Sequence, residues 1–263
     1  MNNIILKEKE YAEKILESKV LNKKPTFDLK ILAKYYCFEK QLTPNKIYME
    51  LVRNMEEKYN NFALSKWQST LLDLSKNAKK YPLIDIEYIP ITENELSTIK
   101  EIDSKPMRRL AFTLLCLAKY RNMINIKNND WVGYKFKDIF KIANINATKR
   151  EQGGYIYDMK ELGLIKMNKM VDNLSVNVCF IDKDNSKEVL QICDFRNLGY
   201  EYLFYLGEKF IRCDNCGILI RATSNNKKYC DICSNEKQAF QKLQWDRKNR
   251  KSEKLDIAQT VDL

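Results

Sequence analysis

Four cysteines constrain this chain more than any other feature. They fall as Cys213-Asp-Asn-Cys216 and Cys230-Asp-Ile-Cys233, two Cys-x-x-Cys pairs separated by thirteen residues. Two thiolates on one tight turn can aim at a single point about 2.3 Å from both sulfurs, and a second such turn completes a tetrahedron around Zn2+. Gly217, directly after Cys216, lets the backbone turn tightly and present N–H groups to sulfur. The spacing therefore predicts one ion held by Cys213, Cys216, Cys230 and Cys233. Zn2+ is the expected cofactor, with a four-sulfur iron centre as the alternative ion and a disulfide as the alternative pairing. Four thiolates fill the tetrahedron and leave no position for water, so the ion is expected to be structural rather than catalytic.

Histidine is absent from all 263 residues. That removes His-dependent zinc protease and deaminase chemistry and every Ser-His or Cys-His nucleophile. The seven glycines form neither a Walker A loop nor a Gly-x-Gly-x-x-Gly turn. Carboxylate-metal nucleases survive this exclusion, but no clustered acidic motif nominates one. A non-enzymatic protein is expected.

Lys and Arg number 46 against 35 acids, a formal charge of +11. Such an excess favours polyanionic partners, chiefly nucleic acid. The opening Met-Asn-Asn-Ile-Ile-Leu runs straight into Lys-Glu-Lys-Glu and offers no signal-peptide core. No apolar run approaches the roughly 20 residues of a membrane helix. A cytoplasmic location is expected, where paired cysteines hold metal more often than they form disulfides. Cys37, Cys116, Cys179 and Cys193 each sit singly among apolar residues and read as buried structural thiols.

The pattern along the chain predicts an α+β protein, mainly α. Residues 3–21 carry Ile4, Ile5, Tyr11, Ala12, Ile15, Leu16 and Val20 at roughly helical spacing. A second helix is expected to start at Asp28 as its cap, a third at Thr43-Pro44, and a fourth over 64–78. Residues 83–90 read as a strand or an extended connector. Thr92-Glu-Asn-Glu95 is a capping box. This helical domain is assigned to 1–103.

From 104 to 185 a second domain follows. Met107, Leu110, Ala111, Leu114, Leu115 and Ala118 mark a helix, Trp131–Tyr134 an extended link, and Phe136–Ala143 a shorter helix. Thr148-Lys-Arg-Glu151 is a complete capping box opening a third helix that stops at Gly163. Two strands, 164–169 and 174–181, turn at 171–173. In this order the segment resembles the winged helix-turn-helix family. The resemblance implies that the third helix enters the DNA major groove and the hairpin touches the backbone. Its candidate contacts are Lys149, Arg150 and Gln152 on that helix, with Lys166 and Lys169 on the hairpin. Free N–H groups beside Lys149 and Arg150 would suit a phosphate. Gly153-Gly154 runs against a regular helix at about 1 kcal/mol each relative to alanine, so either the helix starts later or the glycines admit another backbone.

Residues 186–235 are expected to hold one strand near 189–195, an aromatic packing segment and a zinc ribbon or treble-clef-like pair of knuckles. In it, 218–223 and 227–230 form two strands joined by Ser224-Asn-Asn226. A basic helix and tail occupy 236–263. Between Leu206 and Lys254 twelve Lys and Arg face six acids, a concentration suited to phosphates. Candidate contacts there are Arg221, Lys227, Lys228, Arg247, Lys248, Arg250 and Lys251. The run Cys-x-x-Cys-Gly, then Lys-Lys-Tyr-Cys-x-x-Cys, then a basic helix resembles C-terminal zinc ribbons of small bacteriophage and prophage proteins of low-GC bacteria. The combined expectation is a protein that binds nucleic acid, chiefly double-stranded DNA, in transcription or replication control. The alternative is an adaptor that binds a protein through the same two modules.

Overall fold

The computed structural model describes residues 4–18, 21, 22, 24–168, 174–184, 186–239, 241, 242 and 245. It divides into two compact units, Met1–Leu198 and Gly199–Leu263. Helix predominates, with short antiparallel sheets, in agreement with an α+β chain that is mainly α. No helix among the described residues is long and apolar enough to cross a membrane.

The first unit opens with α1 (Glu8–Glu17), α2 (Thr26–Phe38), α3 (Pro44–Lys58) and α4 (Leu64–Asn77). Leu29, Leu32, Ile47, Leu51, Met55 and Leu71 fill the space between them. The first helix is shorter than its apolar pattern predicts. Leu6 O accepts from Ile86 N, and Glu8 N donates to Ile84 O, so residues just before α1 pair as extended backbone with 84–86. A strand-like contact has taken those groups from the helix. The second helix begins at Thr26 behind Pro25, so Asp28 is not its cap. Asp28 is buried and accepts from Tyr11 Oη (2.9 Å) and Asn22 Nδ2 (2.8 Å), tying α1 and its connector to α2. A buried Lys34–Glu8 ion pair makes a second tie between these helices.

Beyond this bundle come β1 (Ile89–Thr92), α5 (Glu93–Lys100) and α6 (Lys105–Ile124). The expected extended segment is a regular strand only from Ile89, because that is where it finds a partner, β5 (Glu188–Ile192), nearly 100 residues later. Thr92 caps α5 through the predicted box, accepting from Glu95 N while Glu95 accepts from Thr92 N. Helix α6 is buried without interruption from Leu110 to Ala118, more than an amphipathic stripe needs, which marks a helix enclosed on all sides.

Around α6 are arranged β2 (Trp131–Tyr134), α7 (Phe136–Ile142), α8 (Lys149–Glu161), β3 (Ile165–Met167) and β4 (Leu174–Val178). The sheet order is β2-β4-β3, antiparallel throughout. Val176 and Val178 face inward, so Asn177 and Cys179 face outward. Cys179 is therefore exposed, and so is Cys193, next to inward-facing Ile192 at the end of β5. Cys116 is buried as expected and Cys37 half-buried. Strand alternation, not apolar neighbours in sequence, decided which thiols reach the core.

Helix α9 (Leu198–Tyr205), where the aromatic-rich segment lies, starts on the last residue of the first unit and otherwise belongs to the second. The second unit continues through a hairpin of β6 (Phe210–Arg212) and β7 (Leu219–Arg221) and a helix over residues 231–239. Tyr200 packs on Phe210 at 4.9 Å between centroids. Glu201 accepts both guanidinium N–H groups of Arg212, at 3.1 and 3.0 Å. These two contacts fix α9 against β6.

Candidate metal centre

The turn between β6 and β7 carries the first cysteine pair. Cys213 N donates to Ile218 O and Gly217 N to Cys213 O, closing a knuckle. Gly217 has φ +70°, a left-handed conformation that glycine adopts without strain. The second pair does not lie on a strand, as a ribbon would have it. β7 pairs with β6, and the backbone of 227–230 instead reaches the knuckle, with Asp214 N donating to Lys228 O at 3.0 Å. The helix over 231–239 starts immediately after Cys230. Ser234 N donates to Cys230 O, an early turn of that helix, and the i, i+3 spacing brings Cys230 and Cys233 to one face. The partially positive end of a helix favours thiolates there.

All four sulfurs lie within 4.8 Å of one another, and Cys216 Sγ and Cys230 Sγ are 3.8 Å apart. Ligands about 2.3 Å from a central Zn2+ are themselves about 3.8 Å apart in a tetrahedron. The cluster can thus hold one metal ion. Cys213, Cys230 and Cys233 are buried, with Ile218, Ile220 and Tyr229 packed around them.

Hydrogen bonds prepare the sulfurs for negative charge. Cys213 Sγ accepts from Cys230 N (3.2 Å), Cys230 Sγ from Cys233 N (3.4 Å), and Cys233 Sγ from Asn215 Nδ2 (3.3 Å). Burial pushes the Cys213 thiol up, but backbone N–H groups of Cys216, Cys230 and Asn215 outweigh it and bring the thiol down to about 6. Burial raises Cys216. At Cys233 the Asn215 amide favours the thiolate, yet burial and the three neighbouring thiols push the pKa up to about 12. A cation is what stabilises four thiolates gathered at one point.

The basic residues divide by environment. Lys149, Arg150 and Lys166 are exposed, the first two on the first turn of α8. That turn is closed by the predicted capping box of Thr148 and Glu151. Gln152 lies one residue further on, but its amide donates to Ala147 O at 2.8 Å. Arg221 pairs with Glu208 at 3.3 Å and lies over the Phe210 ring, while Lys227 pairs with Asp231 at 3.4 Å. Lys228 is exposed. Lys169, Arg247, Lys248, Arg250 and Lys251 lie outside the described residues, as does the 171–173 turn. The structure adds exposed Lys135, Lys137 and Lys141 on and beside α7. In sequence they are isolated lysines, and only the fold sets them on the helix before α8. Asn215 was likewise missed, because nothing in the spacing says that its amide crosses to the second cysteine pair.

No family model matches the chain, and neither do any curated protein or solved structure.

Proposed function

We propose that the chain binds double-stranded DNA through residues 104–185, folded as a winged helix, and that its second unit is held together by a structural Zn2+. The observation that carries this reading is the order helix, strand, helix, helix, hairpin with the sheet order β2-β4-β3. That arrangement leaves Lys149 and Arg150 exposed on the capped end of α8. Charge supports it. Residues 104–185 hold fifteen Lys and Arg against eight acids, most of the chain's net +11, whereas residues 1–103 are close to neutral. Lys137 and Lys141 on α7, with Lys149 and Arg150, would neutralise phosphates on either side of the turn between the helices. Zn2+ suits four thiolates in a closed tetrahedron, with no role in turnover. The phage or mobile-element character implied by the zinc-ribbon resemblance belongs to the same proposal, as does a role in transcription or replication control.

Fluorescence anisotropy with a labelled duplex, at several salt concentrations, tests it. Affinity is expected to fall steeply between 50 and 200 mM salt, with Lys149→Ala and Arg150→Ala each lowering the slope of log K against log salt by about 1. Absence of binding near 50 mM salt, or binding indifferent to salt, would overturn the proposal. One observation favours the adaptor reading. Met123, Ile124 and Ile126 are 53%, 43% and 89% exposed at the end of α6 and just after it, and apolar groups left together in water mark a protein-binding surface. A partner that co-purifies without nucleic acid and is lost on Ile126→Asp would support that alternative.

A further inference from the structure

Three of the four sulfurs have backbone donors. Cys213 accepts from the N–H of Cys230, Cys230 from that of Cys233, and Cys216 from that of Ile218. The hydrogen bond to Cys233 differs in kind: it comes from a side chain, the Asn215 amide, at 3.3 Å. Asn215 lies in the middle of the first Cys-x-x-Cys turn, and Cys233 is the last ligand of the second. The bond therefore spans the two halves of the centre.

We infer that Asn215 is a positioning residue of the metal centre: its amide holds Cys233 Sγ in the tetrahedron and shields that sulfur from electrophiles when the ion is bound. This rests on the reading of the four cysteines as a metal site. The physical basis is a charge-assisted N–H···S bond. A bound tetrathiolate carries two net negative charges on Zn2+ and four sulfurs, and each N–H donor withdraws some of that charge. A backbone donor can be removed only by proline, which also fixes φ, whereas a side-chain donor can be deleted or reversed without constraining the backbone. An aspartate at 215 keeps the shape and places negative charge against sulfur. An alanine only deletes the donor.

The test uses the full chain loaded with Zn2+ and has two readouts. The first is affinity, by competition with a chromophoric chelator. Asn215→Ala is expected to weaken Zn2+ about 10-fold, and Asn215→Asp more than Asn215→Ala, as partners outside the ligand set commonly do on removal. The second is the rate at which each cysteine is alkylated by iodoacetamide, mapped by mass spectrometry. In Asn215→Ala, Cys233 is expected to react several-fold faster than in the wild type, with Cys213 unchanged. A loss of packing alone would accelerate all four cysteines together and would make the two variants alike. Equal acceleration at all four, or Zn2+ affinity within about twofold of wild type in both variants, would overturn the inference. If the wild-type chain itself fails to take up Zn2+, the metal reading falls and this inference with it, an outcome distinct from a wild type that binds and variants that do not differ.

Discussion

Glu95 shows how much one side chain can be asked to hold. It is fully buried, yet it completes the cap of α5, accepts from Lys119 Nζ on both oxygens (2.8 and 2.9 Å), and accepts from Asp182 N at 3.2 Å. Three parts of the chain, α5, α6 and the connector after β4, meet on one carboxylate. A buried charge is tolerable only when its lone pairs are filled, and here they are. Glu95→Ala would strand the Lys119 ammonium in a largely enclosed site and leave Thr92 N and Asp182 N without acceptors. The expected cost is about 3–5 kcal/mol, read as a lowered midpoint in urea unfolding. A cost below about 1 kcal/mol would mean that water replaces the carboxylate at little expense. The capping role was legible, since Thr92 and Glu95 stand three apart. The partners at 119 and 182 were not, because no local pattern couples residues so distant in sequence.

Among the elements, α8 carries an internal conflict. It starts at Lys149 as its capping box requires and runs through Gly153 and Gly154 without interruption. The glycines do not delay the helix. Nor, among the described residues, do they accommodate another part of this chain: outside the helix's own backbone, none of these lies within 4 Å of where a Cβ would stand on either. The helix therefore carries two residues of poor propensity with no packing in return. Gly153→Ala and Gly154→Ala are each expected to stabilise the first unit by about 1 kcal/mol, seen as a rise in thermal midpoint. A fall would show an unfavourable contact that the folded chain does not display. If α8 meets DNA as proposed, the same substitutions lower duplex affinity while raising stability. The sign of the two effects then separates a partner's need for the glycines from the fold's.

For the whole molecule, the two units differ in what holds them. The first has α6 buried along most of its length and a bundle core from α1 to α4. The cluster around the cysteines in the second consists of the thiols themselves with Ile218, Ile220 and Tyr229. So small a cluster is expected to need an ion to offset the entropy of ordering the loops that carry the cysteines. Chelation is expected to expose residues 206–239 to proteases and to hydrogen exchange while leaving the first unit protected; equal protection with and without chelator would contradict it. Acid should act in the same direction. The ligands are thiolates when bound, so affinity is full at higher pH and is lost as pH falls and protons compete for sulfur.

The parts of this protein readable from the one-dimensional order were those set by neighbours three or four residues apart: the two capping boxes, the stop at Gly163, the Cys-x-x-Cys spacing and the apolar stripe of α6. Each is a short-range matter of backbone hydrogen bonds or ligand reach, and short range is what a linear pattern records. The meeting of β1 with β5, the burial of Asp28, the outward turn of Cys179, and the placement of Cys230 just before a helix with Cys233 in its first turn arose otherwise. Each depends on which distant backbone or side chain is available as a partner, a choice made only when the chain folds and its buried polar groups compete for partners.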